Sequence, residues 1–210
     1  ARLSVQGGKE LRAFCDQHSV KYDLIGKVVV ATSEAELPAL QTLHERGAAN
    51  GVEGLAMIGP VRLREIEPHA YGVKALHCPR TGIVDYKEVT RAYADQLREN
   101  GGDIFTGAKV LRIRTSNDAM FLETTQGDFE ATHLINCAGL YADAIVRMMG
   151  LKSDVRIIPF RGEYYTIAPA KHHLVKGLIY PVPNPLFPFL GVHYTSLIHG
   201  GVEAGPNAVL

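Results

Sequence analysis

No run of apolar residues in this chain approaches the ~18 needed for a bilayer-crossing helix, and no signal-peptide pattern opens it. Neither sign of charge is in excess. Lys plus Arg and Asp plus Glu each number 22, so the formal net charge is zero. That balance lacks the basic footprint of a nucleic-acid or anionic-membrane binder, and no nucleic-acid partner is expected. Cysteine is scarce: Cys15, Cys78 and Cys137 are far apart, form no CxxC pair and leave an odd count. This favours reduced thiols in the cytoplasm or an equivalent compartment, each expected as a small buried hydrophobe rather than a nucleophile. Three motifs are also missing. Without GxSxG or GxxxxGK[ST], acyl transfer at a nucleophile elbow and P-loop phosphoryl transfer have no support. His172-His173 has no HxxxH or HExxH companion among the nine histidines, so no metal site is expected.

What is present suits a folded α/β protein. Hydrophobic residues make up 46% of 210, enough for one large or two small domains. Residues 121–143 organise the reading. Phe121 to Thr125 is β-prone, Gly127-Asp128 punctuates, and Leu134-Ile135-Asn136-Cys137 reads as a strand stopping at Ala138-Gly139 before helix-forming residues. The absent Cβ of Gly139 would let a ligand approach the backbone, although such a corner also serves simply to pack a strand on a helix.

Upstream, Leu11, Phe14, Cys15 and His18 follow Gly8-Lys9-Glu10 at helical spacing, and Val28-Val29-Val30-Ala31 reads as a buried strand. Ser33 and Glu36 predict a capping box, with Leu37, Leu40 and Leu43 on one face of the helix beyond. Leu55 to Ile58 predicts another strand, and Arg62 to Glu67 a polar helical run ended by Pro68. Asp85 predicts the N-cap of a helix bearing Val89, Ala92, Tyr93 and Leu97, ended by Gly101-Gly102. Lys109 to Arg114 alternates as a half-buried strand. Strand, helix, strand, hairpin, strand and helix over residues 72–150 predict an α/β layered unit with an inserted meander.

The second half is richer in β signals, at Arg156–Ala168, Gly177–Tyr180 and Leu190–Thr195. Between lie four prolines in Pro181–Pro188, where ladder pairing is expected to fail. Phe187, Phe189 and Leu190 are too apolar for a solvated linker and are expected to pack on a core or line a pocket. Gly200-Gly201 and Gly205-Pro206-Asn207 offer a second glycine-rich approach. Arg161, Glu163, Tyr164, Tyr165, Tyr180, His193 and Tyr194 supply a guanidinium fork, phenols and a titratable imidazole, the parts of a small-carboxylic-acid site. Arg161 and Glu163 read equally well as an exposed ion pair.

The stretches TGIVDY (81–86), LINCAGLYAD (134–143), PFRGEYY (159–165), HLVKGLIYPVPNPLFPFLGVH (173–193) and GGVEAGPNAVL (200–210) resemble the FAD-dependent oxidoreductases of the D-amino-acid oxidase superfamily. Within it they look most like L-2-hydroxyglutarate oxidases and dehydrogenases. The resemblance implies a mixed α/β fold: part of a Rossmann-like FAD-binding domain (1–19, 80–150 and 191–210) interleaved with a mixed β-sheet substrate-binding domain (20–79 and 151–190). It implies FAD contacts at Val110, Cys137, Ala138, Gly139, Gly200, Gly201, Gly205, Pro206 and Asn207. Arg161, Tyr164 and Tyr180 are the implied substrate-binding residues and His193 the implied catalytic one. The reaction implied is hydride transfer from C2 of (S)-2-hydroxyglutarate to the flavin, with oxygen or a quinone as electron acceptor. The expected location is cytoplasmic, or peripheral on the inner membrane. An FAD-dependent amine oxidase of the glycine or sarcosine type and a non-catalytic folded domain are the alternatives.

The family's GxGxxG fingerprint and the histidine-containing segment after it are absent from these residues. Ala1-Arg2-Leu3 lacks a starting Met, and the chain therefore reads as an internal section of a longer protein, expected on its own to bind FAD weakly or not at all and to be inactive.

Overall fold

The computed structural model describes residues 2–116, 118–184, 186 and 189–209. In chain order the elements are α1 (Arg2–Gln17), β1 (Tyr22–Asp23), β2 (Lys27–Ala31), α2 (Leu37–Ala49), β3 (Ala56–Ile58), α3 (Pro60–Ile66), β4 (Lys74–Cys78), β5 (Ile83–Val84) and α4 (Tyr86–Glu99). There follow β6 (Val110–Thr115), β7 (Met120–Thr124), β8 (Gly127–Ala131), α5 (Ala142–Met148), β9 (Arg161–Thr166), β10 (Leu178–Pro181), β11 (His193–Ser196) and β12 (Val202–Val209). They form two compact units, Ala1–Gln96 with Arg161–Val209, and Leu97–Phe160.

The first unit is built on a seven-stranded mixed sheet in the order β3-β4-β2-β10-β11-β12-β9. Its β2–β10 join is parallel and its other joins are antiparallel. The apolar run of β2 has no polar alternation because both faces are covered. On one face Val29, Ala31, Leu76, Cys78 and Val182 pack with Leu40 of α2. On the other, Val28, Val30, Ile58 and Ala75 pack with Leu63 of α3. A third cluster, Cys15, Val20 and Val89, joins α1 to α4.

Local signals explain most helix ends. Glu36 Oε2 accepts the Thr32 and Ser33 backbone N–H groups at 2.6 and 3.0 Å, completing the expected capping box ahead of α2. Asp85 Oδ1 accepts the Lys87 N–H at 2.7 Å, which fixes the start of α4. Helix α1 runs further than the sequence predicts, through Gly7-Gly8, and a Gln6–Glu10 side-chain hydrogen bond of 2.7 Å spans that pair. Glu67, just past α3, is 2% exposed. Its two carboxylate oxygens accept the N–H groups of Gly177 at 2.7 Å and Lys176 at 3.0 Å. This one side chain therefore anchors the start of β10 to the end of α3.

Three expectations for the second half are corrected. Pro181 does pair, as the last residue of β10 opposite Val30, a strand end where the missing N–H interrupts no further ladder. Strand β11 starts at His193 rather than Leu190, and Phe189 and Leu190 are 41% and 54% exposed. Phe187 lies outside the described residues. Within Arg156–Ala168 only β9 forms. The sheet takes in strands from both sides of residue 190, since β11 bonds to β10 and β12 to β9.

The second unit carries the antiparallel meander β6-β7-β8 and α5. Leu134–Cys137 is not a strand: an extended run becomes one only with a neighbour to bond, and these residues join no ladder of the meander. Cys15 and Cys78 are buried as expected, but Cys137 is exposed, standing on that unpaired run. Burial pushes both buried thiols above their usual pKa, which keeps them protonated and unreactive.

Candidate functional site

One row across the seven-stranded sheet collects the polar chemistry of the first unit. Tyr180 of β10 and His193 of β11 stack with ring centroids 4.0 Å apart and planes 18° from parallel. His193 pairs with Gly205 of β12. Beyond that glycine the Tyr164 ring of β9 meets His193 edge-on at 6.3 Å. Gly205 is what lets an aromatic ring reach over a whole strand. A Cβ there would stand 2.6 Å from Tyr164 Cδ1 and 2.7 Å from the Glu163 carbonyl oxygen. Gly205→Ala is accordingly expected to cost about 1–3 kcal/mol in urea unfolding. Adding Tyr164→Ala should recover part of that loss, since it removes one of the two obstructions.

His193 is 4% exposed. Its Nδ1 lies 3.0 Å from the Gly191 carbonyl oxygen, and since a carbonyl only accepts, Nδ1 carries the proton. That tautomer leaves the ring's basic lone pair on Nε2. Burial raises the Tyr180 pKa, a hydrogen bond with Thr195 works against that rise, and Tyr164 adds to it. The Tyr180 phenol therefore remains a proton donor at neutral pH.

Tyr180 and Thr195 also line a cleft of about 550 Å³ with Asp85, Lys87, His199 and Gly200. His199 Nε2 lies 3.2 Å from Asp85 Oδ2 and 3.5 Å from Glu88 Oε1, tying the β11–β12 turn to the first turn of α4. The Lys87 N–H, then His199, hold the Asp85 carboxyl below its usual pKa.

Of the expected substrate residues, Tyr164, Tyr180 and His193 come together and Arg161 does not. Residues alternate across a strand, so Arg161 and Glu163 share the face of β9 opposite to Tyr164. They form an exposed ion pair of 2.6 Å. Among the expected cofactor residues, Gly200 and Gly201 make the β11–β12 turn with φ of +88° and +104°. A Cβ on Gly200 would meet nothing within 4 Å. Gly205, Pro206 and Asn207 lie within β12, where the register shifts between Ala204 and Asn207.

In the second unit, Val110 opens β6 and is half-buried. Cys137, Ala138 and Gly139 form a corner held by Asn136, whose Nδ2 donates to the Ala142 carbonyl at 2.9 Å while its Oδ1 accepts the Ala138 N–H at 3.2 Å. Gly139 has φ of +55° and open space where a Cβ would stand, so the corner needs glycine for its backbone and leaves a free approach. Sequence reasoning missed Thr195, Asp85 as a cleft residue, and Lys27. Thr195 was discoverable, since it is two residues from His193 and so on the same strand face.

The chain is 50% identical over 211 residues to the L-2-hydroxyglutarate dehydrogenase of Indibacter alkaliphilus, matching 100% of this chain and 53% of that protein. It is 42% identical over 224 residues to the mitochondrial L-2-hydroxyglutarate dehydrogenase of Nematostella vectensis, matching 100% of this chain and 49% of that one. The chain thus spans about half the length of these relatives. Its fold is that of L-proline dehydrogenase from P. horikoshii, with a TM-score of 0.87 at 19% identity, covering 99% of this chain and 55% of that one. The FAD dependent oxidoreductase (DAO) family model matches residues 1–210, and the chain belongs to that family.

Proposed function

We propose that the protein oxidises (S)-2-hydroxyglutarate at C2 to 2-oxoglutarate with FAD as hydride acceptor. The 50% identity with the Indibacter enzyme across the whole of this chain carries the reading. Each unit by itself offers features that suit a flavin: in the first, Gly200 is open where a side chain would otherwise fill the approach, beside a cleft with the volume of an ordinary ligand site, and in the second, Gly139 is open likewise. Val110, Cys137, Ala138 and Gly139 of the second unit, and Gly200 and Gly201 of the first, are the residues that would contact the cofactor. Gly205 instead accommodates Tyr164.

When bound, FAD supplies a two-electron acceptor for the hydrogen on C2. His193 Nε2 takes the hydroxyl proton, so that the C2–O bond becomes a carbonyl as the C2–H electron pair departs. The Gly191 carbonyl, accepting from Nδ1–H, fixes the ring for that transfer and favours the imidazolium that results. Tyr180 and Tyr164 wall the imidazole and keep water from it, and the Tyr180 phenol donates to substrate oxygen.

Under this reading the sheet is the substrate-binding part, residues around the Gly139 corner belong to the cofactor part, and electrons pass on to oxygen or a quinone. No helix among the described residues is long and apolar enough to cross a membrane. The proposed location is the cytoplasm, peripheral on the inner membrane where a quinone is the acceptor.

The test is a visible absorption spectrum of the FAD-loaded protein before and after anaerobic addition of (S)-2-hydroxyglutarate. Bleaching of the flavin bands is expected. A flavin that ignores this acid but bleaches with glycine, sarcosine or proline would overturn the substrate.

A further inference from the structure

We infer that Lys27 selects a dicarboxylic substrate, its ammonium binding the carboxylate at the far end of the chain from the carbon that is oxidised; this rests on the reaction proposed above. Three observations converge on Lys27. It lies on β2 directly beside β10, paired with Leu178, and two residues before Val29, so its side chain shares the sheet face of Tyr180. Its Nζ stands 5.2 Å from the centre of the Tyr180 ring. Since β2 and β11 flank β10 on opposite sides, that ring sits between the ammonium and the His193 imidazole. An acid reaching past one phenol edge would therefore have a base at one end and a cation at the other.

The second observation is the space around the ammonium. Lys27 lines a cavity of about 570 Å³ that adjoins the Tyr180 cleft at Ile83 and Val84, together with Lys9, Arg12, Arg80, Glu53 and Cys78. Four cations face one carboxylate there, and Glu53 is already bonded to Lys9 at 2.8 Å and Arg80 at 3.5 Å. Lys27 is half-buried and has no carboxylate paired with it among the described residues. A partly desolvated ammonium held against an aromatic face, in a cavity of positive excess, favours an anionic guest. The third is negative for its competitor. Arg161, the cation that sequence reading favours for this role, points from the opposite face of β9 and is committed to Glu163.

The experiment compares the FAD-loaded enzyme with Lys27→Met and Lys27→Arg on two acids of equal chain length, (S)-2-hydroxyglutarate and 2-hydroxyvalerate, which lacks the distal carboxylate. The ratio of kcat/KM for the two acids should fall about 100-fold in Lys27→Met, mainly through KM for the diacid, and stay largely intact in Lys27→Arg. Calorimetric binding of glutarate against valerate gives a readout independent of turnover, and its preference for glutarate should vanish in Lys27→Met. An unchanged ratio, or a preference for glutarate that survives Lys27→Met, would overturn the role of Lys27 while leaving the reaction standing. Equal losses on both acids would also overturn it, marking Lys27 as support for Tyr180. Should the wild-type protein prefer glutarate through Lys27 yet oxidise neither acid, the proposed reaction falls and the carboxylate site remains.

Discussion

Replacing His193 by Gln should lower the rate of flavin reduction by about 10²–10⁴-fold, the range typical for loss of a positioned general base. Glutamine preserves polarity in a site only 4% exposed, so the variant should remain folded, and it cannot accept a proton. Stopped-flow reduction under anaerobic conditions reads the step directly, separated from reoxidation by the acceptor. The flavin spectrum before mixing should be unchanged, because His193 is proposed to act on the hydroxyl and not to hold the cofactor. A reduction rate within tenfold of wild type would remove His193 from the proton transfer. The Gly191 carbonyl gives a companion expectation: it is a backbone group, so the tautomer cannot be reversed by a side-chain change at that position.

Glu67→Leu should destabilise the first unit by roughly 2–5 kcal/mol, since it leaves the buried Gly177 N–H and the part-buried Lys176 N–H without their acceptors. Glu67→Gln should lose less, because one amide oxygen still accepts. The control is Glu65→Gln, which breaks only an exposed 2.6 Å pair with Arg62 and should cost no more than about 1 kcal/mol. Urea unfolding of the three variants provides the comparison. A Glu67→Leu cost as small as that of the control would mean that water or backbone rearrangement replaces both bonds. The site shares the consequence, since Glu67 sets the start of the strand that carries Tyr180.

Elements with strong local signals were legible in the sequence. The capping box at Ser33 and Glu36, Asp85 ahead of α4, the buried β2 and the existence of β6 all depend on neighbours within a few residues, although β6 buries Ile113 and leaves Leu111 exposed instead of covering one whole face. Leu134–Cys137 shows the limit: its β-propensity is real, but propensity cannot say whether a ladder partner stands beside it. The site divides in the same way. Tyr180 and His193 were singled out by chemistry and do meet. Arg161 was singled out by the same chemistry, and strand alternation turns it away. Lys27 went unremarked because roughly 150 residues separate it from the strand it lies beside, and only sheet order reveals them as neighbours.

That parallel join also bears on how the polypeptide reaches its native state. Closing a loop of roughly 150 residues costs little more in entropy than closing one half as long, but it cannot begin until both strands exist. During synthesis the β3-β4-β2 side emerges long before β10, so one edge of β2, Lys27 followed by Val28, Val29, Val30 and Ala31, waits unpaired. The same lysine that is proposed to greet a carboxylate in the finished enzyme is then the one charge on a sticky strand, discouraging two nascent chains from zipping together.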